Sequence, residues 1–219
     1  MYAFKISNRH IIINIDNKKF LLDTGSPNSF WTSEFLEDIT IDGVKYQLSP
    51  KPYEVDLDET FKTIGTNVDG FIGLDIVRKT SLTIYKNGTL EFKAKEEDGM
   101  RVPMNIYPYL SINVGCSDYK GLMIIDTGAM YAYGVNKLFG WRSPYLSVTD
   151  YNPHLKKFRS DLFDLDIYVN GKRFRTDIGR NEKVSNLLTQ MNAVLIGGLN
   201  NLFNEVCVID IQRKELIIR

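Results

Sequence analysis

The feature that most constrains this chain is an internal repeat built around two copies of Asp-Thr-Gly. Residues 19–30 have the sequence KFLLDTGSPNSF, and residues 120–131 have the sequence KGLMIIDTGAMY. Each half later contains two large apolar residues followed by glycine, in DGFIGL at 69–74 and VLIGGL at 194–199. This shared order predicts two similar units, each of which brings one aspartate to the end of an apolar strand.

The boundary between the two units is predicted in the charged segment KAKEEDGMRVP at 93–103. We therefore divide the chain into lobe 1, residues 1–97, and lobe 2, residues 98–219. The repeat is unequal, because 20 positions separate Asp23 from Gly43, whereas 45 separate Asp126 from Gly171. The difference of 25 predicts an insertion in lobe 2 at about 132–160, which is rich in aromatic residues.

Short alternating runs of Val, Ile, Tyr, Phe and Thr predict an all-β fold. Asp42-Gly43 and Asn170-Gly171 lie between such runs and predict tight β-hairpins, because these residue pairs tolerate positive φ. Helices are expected to be few and short, at about 74–79 and 199–205. The terminal strands and the region 90–110 are expected to form a sheet that ties the lobes together.

Two aspartates held a few ångströms apart have a specific chemistry. They share one proton and their pKa values split, so that one is a base at a pH where the other is an acid. Hydrolysis of an amide by water needs both functions. The neighbouring glycine allows a sharp turn that directs backbone N–H groups at the carboxylate, and a threonine hydroxyl can link the two loops.

These motifs resemble those of the aspartic peptidases over nearly the whole chain. LDTGSPNSFW at 22–31 and DGFIGL at 69–74 are similar to pepsin-like enzymes, and IIDTGA at 124–129 is closer to retropepsins. The resemblance implies two similar pepsin-like or retropepsin-like lobes around a central cleft, with Asp23 and Asp126 as the catalytic dyad. The residues it implies as supports of the active-site loops are Thr24, Gly25, Ser26, Thr127, Gly128 and Ala129.

The sequence departs from the family pattern in two places. A hydroxyl that follows each motif hydrogen-bonds its aspartate in pepsin-like enzymes; Ser26 is able to do so here and Ala129 is not. Lobe 1 also lacks a clear flap, the hairpin that closes over substrate. Tyr46 and Tyr53 are its only candidate flap residues.

The lobe 2 insertion supports two alternatives. It folds over the cleft as a lid, or it packs as a separate cluster on the outer face of lobe 2. Trp31 is a candidate substrate contact or a core residue. The other candidate substrate-binding residues are Tyr131, Tyr133 and Trp141.

Composition narrows the function further. Lys plus Arg and Asp plus Glu both total 27, so the net charge of zero favours neither a nucleic-acid nor a membrane partner. Two cysteines and two histidines provide no disulfide scaffold or multi-histidine metal centre, and we expect no metal and no cofactor. The first ten residues lack a signal-peptide pattern, which predicts a cytoplasmic protein.

The functional expectation is an aspartic endopeptidase that acts as a monomer on a peptide or protein substrate. A water molecule activated between the two aspartates would hydrolyse the peptide bond. The alternative is a catalytically weak or inactive pepsin-like module that binds peptides in the same cleft, since a fold alone does not fix a function.

Overall fold

Strands dominate both halves of the chain. The computed structural model describes residues 1–34, 38–199, 202 and 204–219. The elements of lobe 1 are β1 (Tyr2–Ser7), β2 (His10–Ile15), β3 (Lys18–Leu22), β4 (Phe30–Trp31), β5 (Asp38–Ile41), β6 (Val44–Gln47), α1 (Leu57–Ile64), β7 (Gly70–Ile72), α2 (Leu74–Thr80), β8 (Leu82–Tyr85) and β9 (Thr89–Glu91). The elements of lobe 2 are β10 (Met100–Asn105), β11 (Ser111–Cys116), β12 (Tyr119–Ile125), β13 (Ala132–Gly134), a 3₁₀ turn (Asn136–Leu138), β14 (Leu146–Asn152), β15 (Lys156–Val169), β16 (Lys172–Arg180), α3 (Glu182–Gln190), β17 (Ala193–Gly197), β18 (Val206–Asp210) and β19 (Glu215–Ile218).

The same strand pairings recur in the two lobes. In lobe 1, β2 and β3 form a hairpin, and β3 then pairs in parallel with β7. In lobe 2, β11 and β12 form the hairpin, and β12 pairs in parallel with β17. The apolar-apolar-Gly segments predicted from sequence are therefore the strands that lie beside those leading to each Asp-Thr-Gly.

A six-stranded antiparallel sheet joins the lobes. Its order is β1–β9–β8–β18–β19–β10, so each lobe supplies three consecutive strands. The join is the β8–β18 pair, in which Ile84 lies opposite Cys207. The chain ends and the region 90–110 thus meet in one sheet, as the sequence predicted.

The core explains why the strand before the first motif is apolar without alternation. Phe20 and Leu22 face the main core, whereas Leu21 faces a second cluster beneath α1. In that second cluster Phe30 stacks on Phe71 with ring centroids 4.3 Å apart. A strand buried on both faces has no polar side to present, so the sequence shows a continuous apolar run.

Both predicted hairpins are present. Asp42-Gly43 joins β5 to β6 and Asn170-Gly171 joins β15 to β16, and all four residues have positive φ. Of the two predicted helices, 74–79 corresponds to α2, and 199–205 lies partly outside the described residues.

The sequence interpretation missed α1 and α3, although both carry capping signals. The side chain of Asp56 accepts a hydrogen bond from Glu59 N, and Gly65 ends α1 in the left-handed conformation. The side chain of Asn181 caps α3 by accepting from Lys183 N and Val184 N. Among the described residues, none of the helices has the length and apolarity needed to cross a bilayer.

Candidate active site

Two loops carry the aspartates to the junction of the lobes. Each loop begins at the end of a buried strand and is fixed to the neighbouring parallel strand. Asp23 N donates to Ile72 O and Asp126 N donates to Gly197 O, both at 2.9 Å. The two aspartates therefore occupy corresponding positions.

The threonine of each motif links the two loops through buried hydrogen bonds. Thr24 N donates to Thr127 Oγ1 and Thr127 N donates to Thr24 Oγ1, each at 3.0 Å. Each hydroxyl then donates across the junction, Thr24 to Ile125 O at 2.9 Å and Thr127 to Leu22 O at 2.8 Å. The four bonds fix the separation of the loops because each lobe satisfies the other's backbone.

The carboxyl groups of the two aspartates meet between the loops. A Cβ placed on Gly25 would lie 2.5 Å from Asp126 Cγ, and a Cβ placed on Gly128 would lie 2.5 Å from Asp23 Cγ. Each carboxyl therefore packs against the opposite glycine, and only glycine leaves room for it. The side chains of Asp23 and Asp126 also hydrogen-bond each other.

The hydrogen-bond environments of the two carboxyls differ. Asp23 Oδ1 accepts from Gly25 N at 3.0 Å and from Ser26 N at 3.1 Å. Asp126 Oδ1 accepts from Gly128 N at 2.9 Å. The role expected for the Ser26 hydroxyl was wrong, because that hydroxyl donates to Asn28 O at 2.8 Å, and it is the backbone N–H of Ser26 that reaches Asp23.

Burial and mutual repulsion separate the pKa values of the pair. Burial raises the pKa of Asp23, while hydrogen bonds from Asp126 and from the backbone of Ser26 and Gly25 oppose the rise. Burial raises the pKa of Asp126 well above its usual range, and the negative charge of Asp23 adds to the effect. The larger number of backbone donors favours the charge on Asp23 and the shared proton on Asp126.

His10 is a cleft residue that sequence reasoning did not single out. It begins β2, is 2% exposed, and lies within hydrogen-bond distance of Ser7 O through Nδ1 at 3.3 Å. Burial lowers the pKa of its imidazole. The sequence feature that could have indicated it is the polar His10 at the start of the otherwise apolar run HIII, residues 10–13. Within the described residues, no three His, Cys, Asp or Glu side chains group together as metal ligands do.

A cavity of about 400 Å³ opens above the two aspartates. Its floor contains Asp23, Asp126 and the glycines of both motifs, and its walls come from both lobes. Lobe 1 contributes residues of the 52–64 segment, and lobe 2 contributes the turn between β14 and β15 together with part of α3. The cavity is therefore the central cleft of a two-lobed molecule.

The β14–β15 hairpin reaches across this cleft from lobe 2 to lobe 1. Asp56 N donates to Tyr151 Oη at 3.0 Å, and Lys156 Nζ donates to Glu54 O at 2.9 Å. The residues between these strands line the cavity. We call residues 146–158 the lid. The hairpin of the lobe 2 insertion therefore covers part of the cavity and contacts lobe 1.

The aromatic residues in the rest of the insertion differ, because Phe139 packs into the protein whereas Trp141 and Tyr145 are exposed. Phe139 is fully buried and lies 4.6 Å from the ring of Phe163. Phe139 therefore belongs to the main core, and it does not form the separate cluster on the outer face of lobe 2 that was the second alternative.

Of the predicted substrate-binding residues, Tyr133 alone lines the cavity, and the others lie beside it, in the core or on the surface. Tyr133 lines the cavity, and its hydroxyl donates to Asp150 of the lid. Tyr131 lies next to the cleft loop, with the Arg9 guanidinium 4.7 Å from its ring centroid.

Tyr131 is not among the residues that line the cavity, and the other four candidates do not line it either. Trp31 is 2% exposed and packs on Phe20 in the core of lobe 1. Tyr46 lies on β6 and packs against the main core. Tyr53 and Trp141 are fully exposed to solvent. Sequence position near a motif gave no information about the direction in which these side chains point.

The geometry agrees with comparisons of the whole fold. An aspartic proteinase from Irpex lacteus is similar over 98% of this chain and 95% of its own, with a TM-score of 0.55 and 15% identity. The chain has the fold of an aspartic proteinase. This confirms the predicted all-β, two-lobed architecture. The simian foamy virus (mac) protease is similar over 42% of this chain and 90% of its own, with a TM-score of 0.33 and 11% identity. No family model and no curated protein matches the sequence.

Proposed function

We propose that the chain is an aspartic endopeptidase, with Asp23 and Asp126 as its catalytic dyad. The observation that carries this proposal is the meeting of two half-buried carboxyls, one from each lobe, in the lining of one cleft. Their unequal environments support one proton and one charge on the pair, which is the state that hydrolysis by water requires.

The chemistry follows from that state. Ionised Asp23 takes a proton from a water molecule as the water oxygen attacks the carbonyl carbon of the peptide bond. Asp126 gives its proton to the carbonyl oxygen. In the second step the proton on Asp23 passes to the leaving nitrogen, and Asp126 recovers a proton from the diol as the C–N bond breaks. The dyad then again holds one proton, so the cycle needs no cofactor.

An extended peptide is the proposed substrate. The edge of β14 that faces away from β15 pairs with no other strand among the described residues. A peptide lying in the cleft can add its backbone to that edge, which is a general mode of peptide recognition. The lid would move away from residues 54–56 to admit the peptide and return over it.

The proposed active unit is the monomer. Both aspartates belong to one chain, and the six-stranded sheet holds the two lobes together without a partner. We further propose that the protein acts in the cytoplasm, which rests on the sequence pattern alone.

Incubation with a chemically unfolded protein tests the proposal against a peptide-binding module. Wild-type protein is expected to produce new peptide termini, detected by mass spectrometry, and Asp23→Ala is expected to produce none. Asp75→Ala is the control, because it removes a carboxylate outside the dyad. In the wild-type protein Asp75 Oδ1 accepts a hydrogen bond from the Ser29 hydroxyl at 2.6 Å. Stoichiometric binding of the unfolded protein without cleavage would contradict an enzyme and favour the module.

A further inference from the structure

We propose that the cleft selects peptides with a lysine or arginine side chain, and that Asp150 of the lid binds the cation. This inference deepens the proposed function by naming a substrate class. It requires a peptide in the cleft, but it does not require that the peptide be cleaved.

The charge of the cleft wall supports this selection. The lining contains four acidic residues, Asp23, Glu54, Asp126 and Asp150. No lysine or arginine of the described residues lines it. A concave surface with charge of one sign and walls of low polarity concentrates ligands of the opposite charge.

Asp150 is a buried acidic residue that lines the cavity from the lid, apart from the dyad. It is 6% exposed, and its oxygens accept from neutral donors, the Tyr133 hydroxyl and Tyr151 N. No lysine or arginine forms an ion pair with it among the described residues. Burial raises its pKa, which measures the cost of holding a charge there without a cation. A ligand ammonium or guanidinium would offset that cost.

The surroundings of Asp150 fit the rest of such a side chain. The rings of Tyr133 and Phe158 lie 5.7 Å apart, and both line the cavity. Leu188 and Ile196 add aliphatic surface to the same wall. Lysine and arginine bury a long apolar stem and place only the head group at a polar partner, which matches an aromatic wall that contains a carboxylate.

The histidine near Asp150 does not replace that cation. His10 lines the same cavity, and its burial lowers the pKa of the imidazole, so it is neutral at neutral pH. Asp150 therefore has no charged imidazole as a partner, and a ligand cation can take that place.

Binding of short synthetic peptides tests the inference without relying on cleavage. A polyalanine-based set carries one lysine, arginine, norleucine or glutamate at each position in turn. Binding to Asp126→Asn protein is measured by calorimetry at pH 7 and low salt. We expect lysine or arginine at one position to bind at least about tenfold more tightly than norleucine there. Equal affinity for lysine and norleucine at every position would overturn the inference, and this comparison needs no change at Asp150.

Adding Asp150→Asn to this protein assigns the selectivity to a residue. Asparagine keeps an oxygen for the Tyr133 hydroxyl but loses the charge, so the preference for lysine over norleucine is expected to fall below about threefold. The matched control is Asp164→Asn, which removes the same charge from the exposed face of β15, where Asp164 pairs with Arg175. A purely positioning role for Asp150 would change the affinity of all peptides alike, and that result would also overturn the inference.

The two proposals fail in different ways. Lysine-selective binding by a protein that cleaves none of the peptides would refute the endopeptidase and leave the selectivity intact. Cleavage of all peptides at equal rates, with equal binding, would refute the selectivity and leave the endopeptidase intact.

Discussion

Replacing Thr127 by valine tests whether the threonine links hold the lobes in register. Valine has nearly the same shape but no hydroxyl, so Leu22 O loses its donor and Thr24 N loses its acceptor. Both groups are buried, and each one left without a partner costs about 2 kcal/mol. The expected loss is therefore about 4 kcal/mol, a large part of the roughly 5–15 kcal/mol that stabilises a typical protein.

Thermal unfolding followed by circular dichroism measures this loss. At about 2–4 °C per kcal/mol for a chain of this size, Thr127→Val is expected to lower Tm by about 8–16 °C. Thr24→Val removes the corresponding pair of bonds and is expected to cost a similar amount.

Thr127→Ser is the matched control for the hydroxyl. It keeps both hydrogen bonds and loses one methyl group, which is worth about 1 kcal/mol, so Tm is expected to fall by only about 2–4 °C. If the valine variant were as stable as the serine variant, the hydroxyl would contribute nothing and the account of the loop junction would be refuted.

Three further substitutions test the dyad, the Ser26 hydroxyl and the exposed part of the lobe 2 insertion. Folding raises the pKa of both dyad carboxyls, so they stabilise the fold below about pH 4, and this stabilisation is lost as the pH rises through their pKa values in the folded protein. Asp126→Asn is therefore expected to raise Tm relative to wild type more at pH 8 than at pH 4. Ser26→Ala is expected to leave the pH profile of cleavage unchanged, because the hydroxyl contacts Asn28 rather than Asp23; a shifted acidic limb would contradict this. Trp141→Ala is expected to change neither Tm nor kcat/KM, because the side chain is fully exposed; a loss in either would show a contact absent here.

Local sequence signals were enough for the repeat and its turns. Asp42-Gly43 and Asn170-Gly171 specify hairpins because both members of each pair adopt positive φ. The apolar runs before Asp23 specify a strand buried on both faces. Such signals depend on a few adjacent residues, so they can be recognised without knowing the rest of the fold.

Contacts between distant segments were not predictable in the same way. The lid reaches lobe 1 through Tyr151 and Asp56, which are 95 positions apart, and nothing near either residue indicates the pairing. Ser26 shows the same difficulty over a shorter distance. The sequence reveals its hydroxyl but not that Asn28 O is the acceptor of its hydrogen bond. His10 and Asp150 become cleft residues only once both lobes are placed.

The most direct test of the account is peptide cleavage by Asp23→Asn and Asp126→Asn, each compared with wild type at one protein concentration. Asparagine keeps the size of the side chain but can neither hold nor release the shared proton. Both variants are expected to keep the wild-type circular dichroism spectrum and to lose cleavage entirely. Retained cleavage by either folded variant would contradict the assignment of Asp23 and Asp126 as the dyad.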